Sequence, residues 1–201
     1  MNHHLNTSNN INNDMISEKA TIHHTAVIYD NVQIEDDVYI GAHCVIGAKP
    51  EYKDFYKYPN KGVVIRKGAV LTGLVSVDGG TIRSTEIGEN CILMKQSHVG
   101  HDCILENDIT LSPGVRIGGH CYIMQWVNFG MNATCHQRQV VGEFSMIGMN
   151  CTITKKSTIR PYNTYIGSPA KFLSLNKKMI TNEDVIMAAH QRYDKVKESW
   201  K

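Results

Sequence analysis

Four histidines and one aspartate set the chemical question: His98, His101 with Asp102 beside it, His120 and His136. An imidazole exchanges protons near neutral pH, so several gathered at one place form a candidate general-base site. The same donors can also ligate zinc, which is the competing chemistry. Either reading requires that residues scattered along the chain meet in space.

A six-residue beat supplies the meeting. Ile22, Ile28, Ile34, Ile40 and Ile46 stand at every sixth position, and the beat resumes at Ile65, Leu71 and Val77. From Ile87 it continues through Leu93, Val99, Leu105, Leu111, Ile117, Ile123, Phe129, Cys135, Val141, Ile147 and Ile153 to Ile159. A period of six is neither helical nor a simple strand alternation. It suits a very short strand and a tight turn, repeated around a triangular prism. Glycine often follows the beat, as at Gly100, Gly118 and Gly142, where turns bring backbones close. The expected class is all-β: a left-handed parallel β-helix of about seven coils, stacked at the ~4.8 Å strand spacing, with a short C-terminal α-helix.

In this frame Val99, Ile117 and Cys135 are equivalent beats on successive coils. His98 lies one before its beat, His101 two after, His120 three after and His136 one after. All four are expected at one corner, pointing outward, within roughly 10 Å of one another. The register also disposes of the cysteines. Cys44, Cys91, Cys103, Cys121 and Cys151 fall two before a beat and Cys135 is a beat, so all point inward as small apolar residues. Disulfides, metal thiolates and a cysteine nucleophile are not expected.

Two stretches break the beat: residues 48–61 and the glycine-rich 78–84. Insertions of this kind project outward, and either one can cover a binding cleft. Residues 1–18 are asparagine-rich and read as a flexible tail, residues 19–170 as the β-helix domain, and residues 171–201 as a C-terminal helical extension. Thr181, with Asp184 three later, is the expected helix N-cap, and Val185, Ala189, Tyr193, Val196 and Trp200 follow helical spacing. That helix is expected to cover an exposed strand edge on the prism or a neighbouring subunit.

Composition narrows the classes. With 42% hydrophobic and 20% charged residues in 201, the chain is neither disordered nor membrane-like in make-up. A net charge of +2 gives no footprint for nucleic acid. No apolar run approaches the ~20 residues of a transmembrane span, and a secretory signal layout is not seen, so a cytoplasmic location is expected. Lys155, Lys156, Arg160 and Lys171 read as a solvated basic face.

The segment His98-Val99-Gly100-His101-Asp102-Cys103, then Gly118-Gly119-His120, then His136-Gln137, resembles the acyl-carrier-protein-dependent UDP-N-acetylglucosamine O-acyltransferases of lipid A biosynthesis. The likeness covers roughly residues 20–170 and implies a homotrimer with each site in the groove between two prisms. It further implies that His101 is the general base, that Asp102 orients it, and that the Gly119 N–H stabilises an oxyanion. His98, His120, His136 and Gln137 are implied to bind the sugar nucleotide. No bound cofactor and no metal are implied; an acyl-CoA or acyl carrier protein thioester is the co-substrate. Two departures stand out: the family's loop acid does not align cleanly, leaving Glu51, Lys53 and Asp54 as candidate substitutes or the 3-hydroxyacyl preference lost, and only about 30 residues follow Ala170 where the family carries several helices.

The chain is also similar to sugar N-acetyltransferases through Ser112-Pro113-Gly114 and the ending Gly167-Ser168-Pro169-Ala170-Lys171. The expected activity is therefore acyl transfer from a thioester to a hydroxyl or amine of a nucleotide-linked sugar, in surface glycan or lipopolysaccharide synthesis. Authentic lipid A UDP-N-acetylglucosamine 3-O-acylation is the alternative. A zinc-dependent carbonic anhydrase-like hydratase is a second alternative, although the histidine spacing does not reproduce that ligand pattern. A non-catalytic scaffold is the remaining class.

Overall fold

The computed structural model describes residues 15–51, 54–176 and 182–200, except for the side chain of Phe55. The parallel β-helix expected from the hexads is the architecture found. Three sheets of nine, seven and six strands form the prism walls, and most strands are two residues long. Equivalent positions on neighbouring coils lie 18 residues apart, so Val99 pairs with Ile117, Ile117 with Cys135 and Cys135 with Ile153.

The turns between strands explain which residues occupy them. Most place a left-handed residue at the same point, and Asp102 (φ 59°), His120 (φ 58°) and Arg138 (φ 61°) share that place on successive coils. Asn, Asp and His accept this conformation more readily than most residues do, and Asn31, Asp37, Asn90, Asp108, Asn132 and Asn150 fill it elsewhere.

The interior is the column of beats. Leu93, Val99, Leu111, Ile117, Ile123 and Phe129 are wholly buried, each contributing roughly 1.5–3 kcal/mol of transfer free energy. All six cysteines are buried and unbridged, as their register requires. Burial pushes the Cys91 thiol up to about 12 and the Cys103 thiol well above its ordinary value, so neither offers a thiolate.

The ends differ from expectation. The prism is already under way at Ile16, which bridges Ile34, so residues 15–18 belong to the first coil; the rest of the expected tail lies outside the described residues. At the other end the beat runs on to Tyr165, whose strand Asn163–Ile166 pairs with Met146–Ile147. The Ile16 bridge extends the six-stranded sheet, while the Tyr165 strand brings the nine-stranded sheet to eight parallel rungs plus one antiparallel strand, against the seven coils expected. That antiparallel strand, Lys171–Leu175, opens the segment expected to be helical, and it is what covers the last strand edge.

The helix runs over Glu183–Ser199 and its cap is Asn182, whose side chain accepts from the Val185 N–H at 2.9 Å. The expected cap, Thr181, lies outside the described residues. Instead of an edge, the helix covers the outer face of the six-stranded sheet. Ala189 and Tyr193 are buried, and Tyr193 clusters with Met124 and Val140. Arg192 pairs with Glu106 and Glu143 on the same face, and the Trp200 ring stands edge-on to Tyr122 at 4.8 Å.

Candidate active site

One corner of the prism carries nearly all the candidate chemistry. The seven-stranded sheet includes Val45–Ala48, Ser76–Asp78, His98–Val99, Arg116–Ile117 and Thr134–Cys135 in register. The chain leaves each of these strands at the same corner. Both interruptions of the beat therefore emerge on the ridge that holds His101, His120 and His136. Together they bound a cavity of about 530 Å³ lined by residues including Lys49, Glu51, Ser76, Asp78, His98, Gly100, His101 and Gly119.

Asp102 is the anchor. Its side chain is fully buried, and its Oδ1 accepts the backbone N–H groups of Thr81 (2.9 Å), Ile82 (2.7 Å) and Arg83 (2.9 Å). Its Oδ2 accepts from the Thr81 hydroxyl at 2.8 Å and stands 2.7 Å from Nδ1 of His101. Burial alone would raise the pKa, but the bonds from His101, Arg83, Ile82 and Thr81 outweigh it and hold this carboxyl well below the usual carboxylate range. An ionised carboxylate only accepts, so the His101 proton resides on Nδ1 and the lone pair on Nε2.

Where that lone pair sits is fixed by glycine. Gly119 stands one coil beyond His101, and a Cβ on it would fall 2.6 Å from His101 Nε2. A Cβ on Gly100 would in turn fall 2.7 Å from the Gly119 nitrogen. The Gly119 N–H donates to no carbonyl among the described residues, and it lies in the same cavity as His101. A base with its acceptor nitrogen beside a backbone donor suits attack on a carbonyl followed by stabilisation of the oxyanion.

The remaining residues separate. His98 lines the cavity; its Nδ1 is 2.8 Å from the Ser76 hydroxyl, and burial together with Arg116 lowers its pKa, favouring the neutral ring. His120 does not point outward as expected: it is 9% exposed, packs edge-on to His101 at 4.7 Å, and directs Nε2 towards Asp102 Oδ2 at 3.9 Å. Burial outweighs the attraction of Asp102 and lowers its pKa too. His136 and Gln137 are exposed; the His136 Nδ1 lies 2.9 Å from the Gln137 carbonyl. His136 lines a second hollow of about 340 Å³ on the outer face, which His98, Arg116, Thr134 and Thr152 share. Gln137 borders neither.

Asp78 was not singled out by its sequence, yet it lines the cavity with its side chain 15% exposed and an oxygen 3.8 Å from His98 Nε2. Burial, reinforced by Glu51 and only partly countered by His101, pushes its carboxyl up to about 7. The signal was available: Val77 pairs with Val99, so Asp78 holds the place after the beat that Gly100 and Gly118 hold on the next coils. Ile82 and Arg83 carried no signal, because they reach Asp102 through backbone N–H groups; Thr81 adds its hydroxyl to the same kind of contact.

One nitrogen each from His101 and His120 and an oxygen of Asp102 lie within 4.8 Å of one another, a spacing compatible with a metal ion. Both Asp102 oxygens are already engaged by N–H and O–H donors, however, including the very imidazole that would have to ligate. This donor set is spent on a proton network, and the zinc-hydratase alternative gains nothing from it.

Comparison with known proteins gives consistent kinships. The family described as Bacterial transferase hexapeptide (six repeats) matches residues 15–48 and 84–119. The acyl-[acyl-carrier-protein]–UDP-N-acetylglucosamine O-acyltransferase of Campylobacter lari is 31% identical over 186 residues, covering 91% of this chain and 66% of that protein. Its Campylobacter concisus counterpart is 23% identical over 184 residues, covering 90% and 66%. The chain thus spans just under two thirds of these relatives' length. Among solved structures, the UDP-N-acetylglucosamine O-acyltransferase of Moraxella catarrhalis superposes with a TM-score of 0.62 at 25% identity, covering 92% of this chain and 83% of that one. The Bacteroides fragilis UDP-N-acetylglucosamine acyltransferase gives 0.64 at 24%, covering 92% and 86%, a likeness of fold.

Proposed function

We propose that the chain is an acyltransferase moving an acyl group from a thioester to a hydroxyl or amine of a nucleotide-linked sugar, a reading that its match to the bacterial transferase hexapeptide repeats supports. The observation that carries this reading is the His101–Asp102 pair, with Nδ1 tied to a buried carboxylate and Nε2 beside Gly119 in an open cavity.

In the proposed reaction the acceptor loses a proton to His101 Nε2 as it attacks the thioester carbonyl. The new C–O or C–N bond forms, and the oxyanion sits at the Gly119 N–H. Collapse breaks the C–S bond, and His101 returns the proton to the departing thiolate. A thioester already carries a competent leaving group, so no covalent enzyme intermediate is called for. The base supplies about 10²–10⁴-fold and the oxyanion donor about 10²–10³-fold.

Asp102 orients His101 and stabilises the imidazolium. His98, His136 and Gln137 bind the sugar nucleotide along the outer face, whereas His120 supports the pair from behind and does not contact substrate. The chain acts as a homotrimer in which a neighbouring prism closes the groove over His136. The relatives' names favour UDP-N-acetylglucosamine as acceptor and acyl carrier protein as donor. Among the described residues no helix is long and apolar enough to cross a membrane, and a cytoplasmic enzyme fits water-soluble substrates of this kind.

The test is a screen of UDP- and dTDP-sugars against acetyl-CoA and hydroxyacyl carrier protein, with wild type and His101→Ala. Transfer by wild type that falls about 10²–10⁴-fold in the variant is the expected result. Near-wild-type turnover by His101→Ala would overturn the assignment.

A further inference from the structure

We infer that Trp200 is a positioning residue for the His101–Asp102 pair, acting from the end of the C-terminal helix on the two segments that hold that pair. Its kinetic consequences rest on the general-base reading above; its structural consequences do not.

One indole touches both supports. Its Nε1–H donates to the His120 carbonyl at 2.7 Å, across 80 positions of sequence. The His120 N–H donates to the His101 carbonyl at 2.8 Å, and the His120 ring packs on the His101 ring. On its other side the indole carries the Arg83 guanidinium over its face at 4.3 Å. The Arg83 N–H is one of the three that converge on Asp102 Oδ1. The residue whose backbone feeds the carboxylate and the residue whose ring backs the base are therefore clamped by the same side chain.

The indole is itself held. The Trp200 N–H donates to the Val196 carbonyl at 2.9 Å, fixing the direction in which the chain leaves the helix. The ring meets Tyr122 edge-on, and the Tyr122 hydroxyl donates to Glu106, which also receives Arg192 of the helix.

Segment 79–84 has reason to need such a clamp. Three successive N–H dipoles point at one oxygen and repel one another, while the Ile82 side chain between them is exposed. Besides the Thr81 hydroxyl on Asp102 Oδ2, its other anchors lie at its base: the Gly79 and Gly80 N–H groups donate to the Ala48 and Gly62 carbonyls, the Lys61 N–H to the Gly80 carbonyl and the Ser84 hydroxyl to the Lys61 carbonyl. At the crest, the Arg83 side chain on Trp200 supplies the hold.

The experiment uses the full chain labelled with ¹⁵N-histidine, with His101 assigned from His101→Gln, and reads imidazole tautomers by long-range ¹H–¹⁵N correlation without substrate. Wild type should show His101 as the Nδ1–H tautomer, and Trp200→Ala a mixture of tautomers. Trp200→Phe keeps a ring beneath Arg83 but loses the indole donor, and should fall between. In parallel, kcat should drop about tenfold in Trp200→Ala while KM for both substrates stays within twofold, as expected for misplacement of a group that acts only in the reaction. If Trp200→Ala does not fold, Trp200→Phe and Arg83→Gln carry the test. Wild-type His101 signals in these variants, whether or not kcat changes, overturn the inference. Failure of wild type to transfer any acyl group overturns the general-base reading alone, and the tautomer measurement then decides the role of Trp200.

Discussion

The imidazole of His101 occupies the space in which Gly119, one coil further on, would carry a side chain: an ideal Cβ there stands 2.6 Å from Nε2. The nearest atoms around that Cβ all belong to the His101 ring, and the Gly119 backbone is not left-handed, so alanine is compatible with the turn but not with the base. Gly119→Ala should lower kcat about 10²-fold, since displacement by about an ångström is enough for such a loss. Its melting temperature should stay within a few degrees of wild type. Steady-state kinetics beside a thermal melt check both, and full activity in the variant would show that the base does not work from this position.

Asp102→Asn should cost more. An amide in place of this carboxylate turns at least one N–H toward the five donors now converging on it. In an analogous triad the same exchange, by imposing the wrong tautomer, lowers kcat about 10⁴-fold, and a loss of that order is expected here.

The same carboxylate imposes an acid limit on stability. Its pKa is depressed in the folded chain, so its contribution is complete above the ordinary unfolded value near ~3.9 and is lost as pH falls from there toward the folded value. The urea midpoint of wild type should therefore decline below about pH 4, and Asp102→Asn should show a shallower decline. Parallel slopes would mean that the carboxylate is not specially stabilised.

Asp78 has the opposite sign. A carboxyl raised to about 7 favours the folded state while protonated, fully so below about pH 4, and that advantage disappears as pH rises through 7. Asp78→Asn should match wild type in stability at pH 4 and exceed it at pH 8. Melts at the two values decide it, and equal melting temperatures at pH 8 would contradict the burial argument.

Phe129 fills the interior between the turns that carry His120 and His136 and is wholly buried. Phe129→Ala should cost about 3–5 kcal/mol through lost transfer energy and an unfilled cavity, read from denaturant unfolding. A cost below about 1 kcal/mol would indicate that the prism closes around the gap.

The beat made the architecture legible because every sixth residue had to be inward, apolar and small enough for a narrow prism. It was less legible where that demand was met unusually. Ile16, with only Met15 beside it, sits in an otherwise polar stretch, and Tyr165 is an aromatic beat behind Pro161, so a rung at each end went unread. The corner itself followed from register alone. What register does not contain is which corner residues are covered. Asp102, His120 and Arg138 share one turn position, yet the first two are buried and the third is exposed. The difference comes from segment 79–84 and Trp200, which lie over the first two and are distant in sequence. That is why His120 was expected among the outward ligands and is found behind the base.

The 18-residue pitch of the stack has an evolutionary corollary. Adding or removing one full revolution of chain ahead of the stretch from Val45 to Trp200 would lengthen or shorten the column and leave the geometry of the site untouched. Losing a single hexad between His101 and Gly119 would swing everything downstream by a third of a turn, carrying Gly119 and His120 away from His101. Length is thus free to drift by whole windings, while phase within the working section is locked.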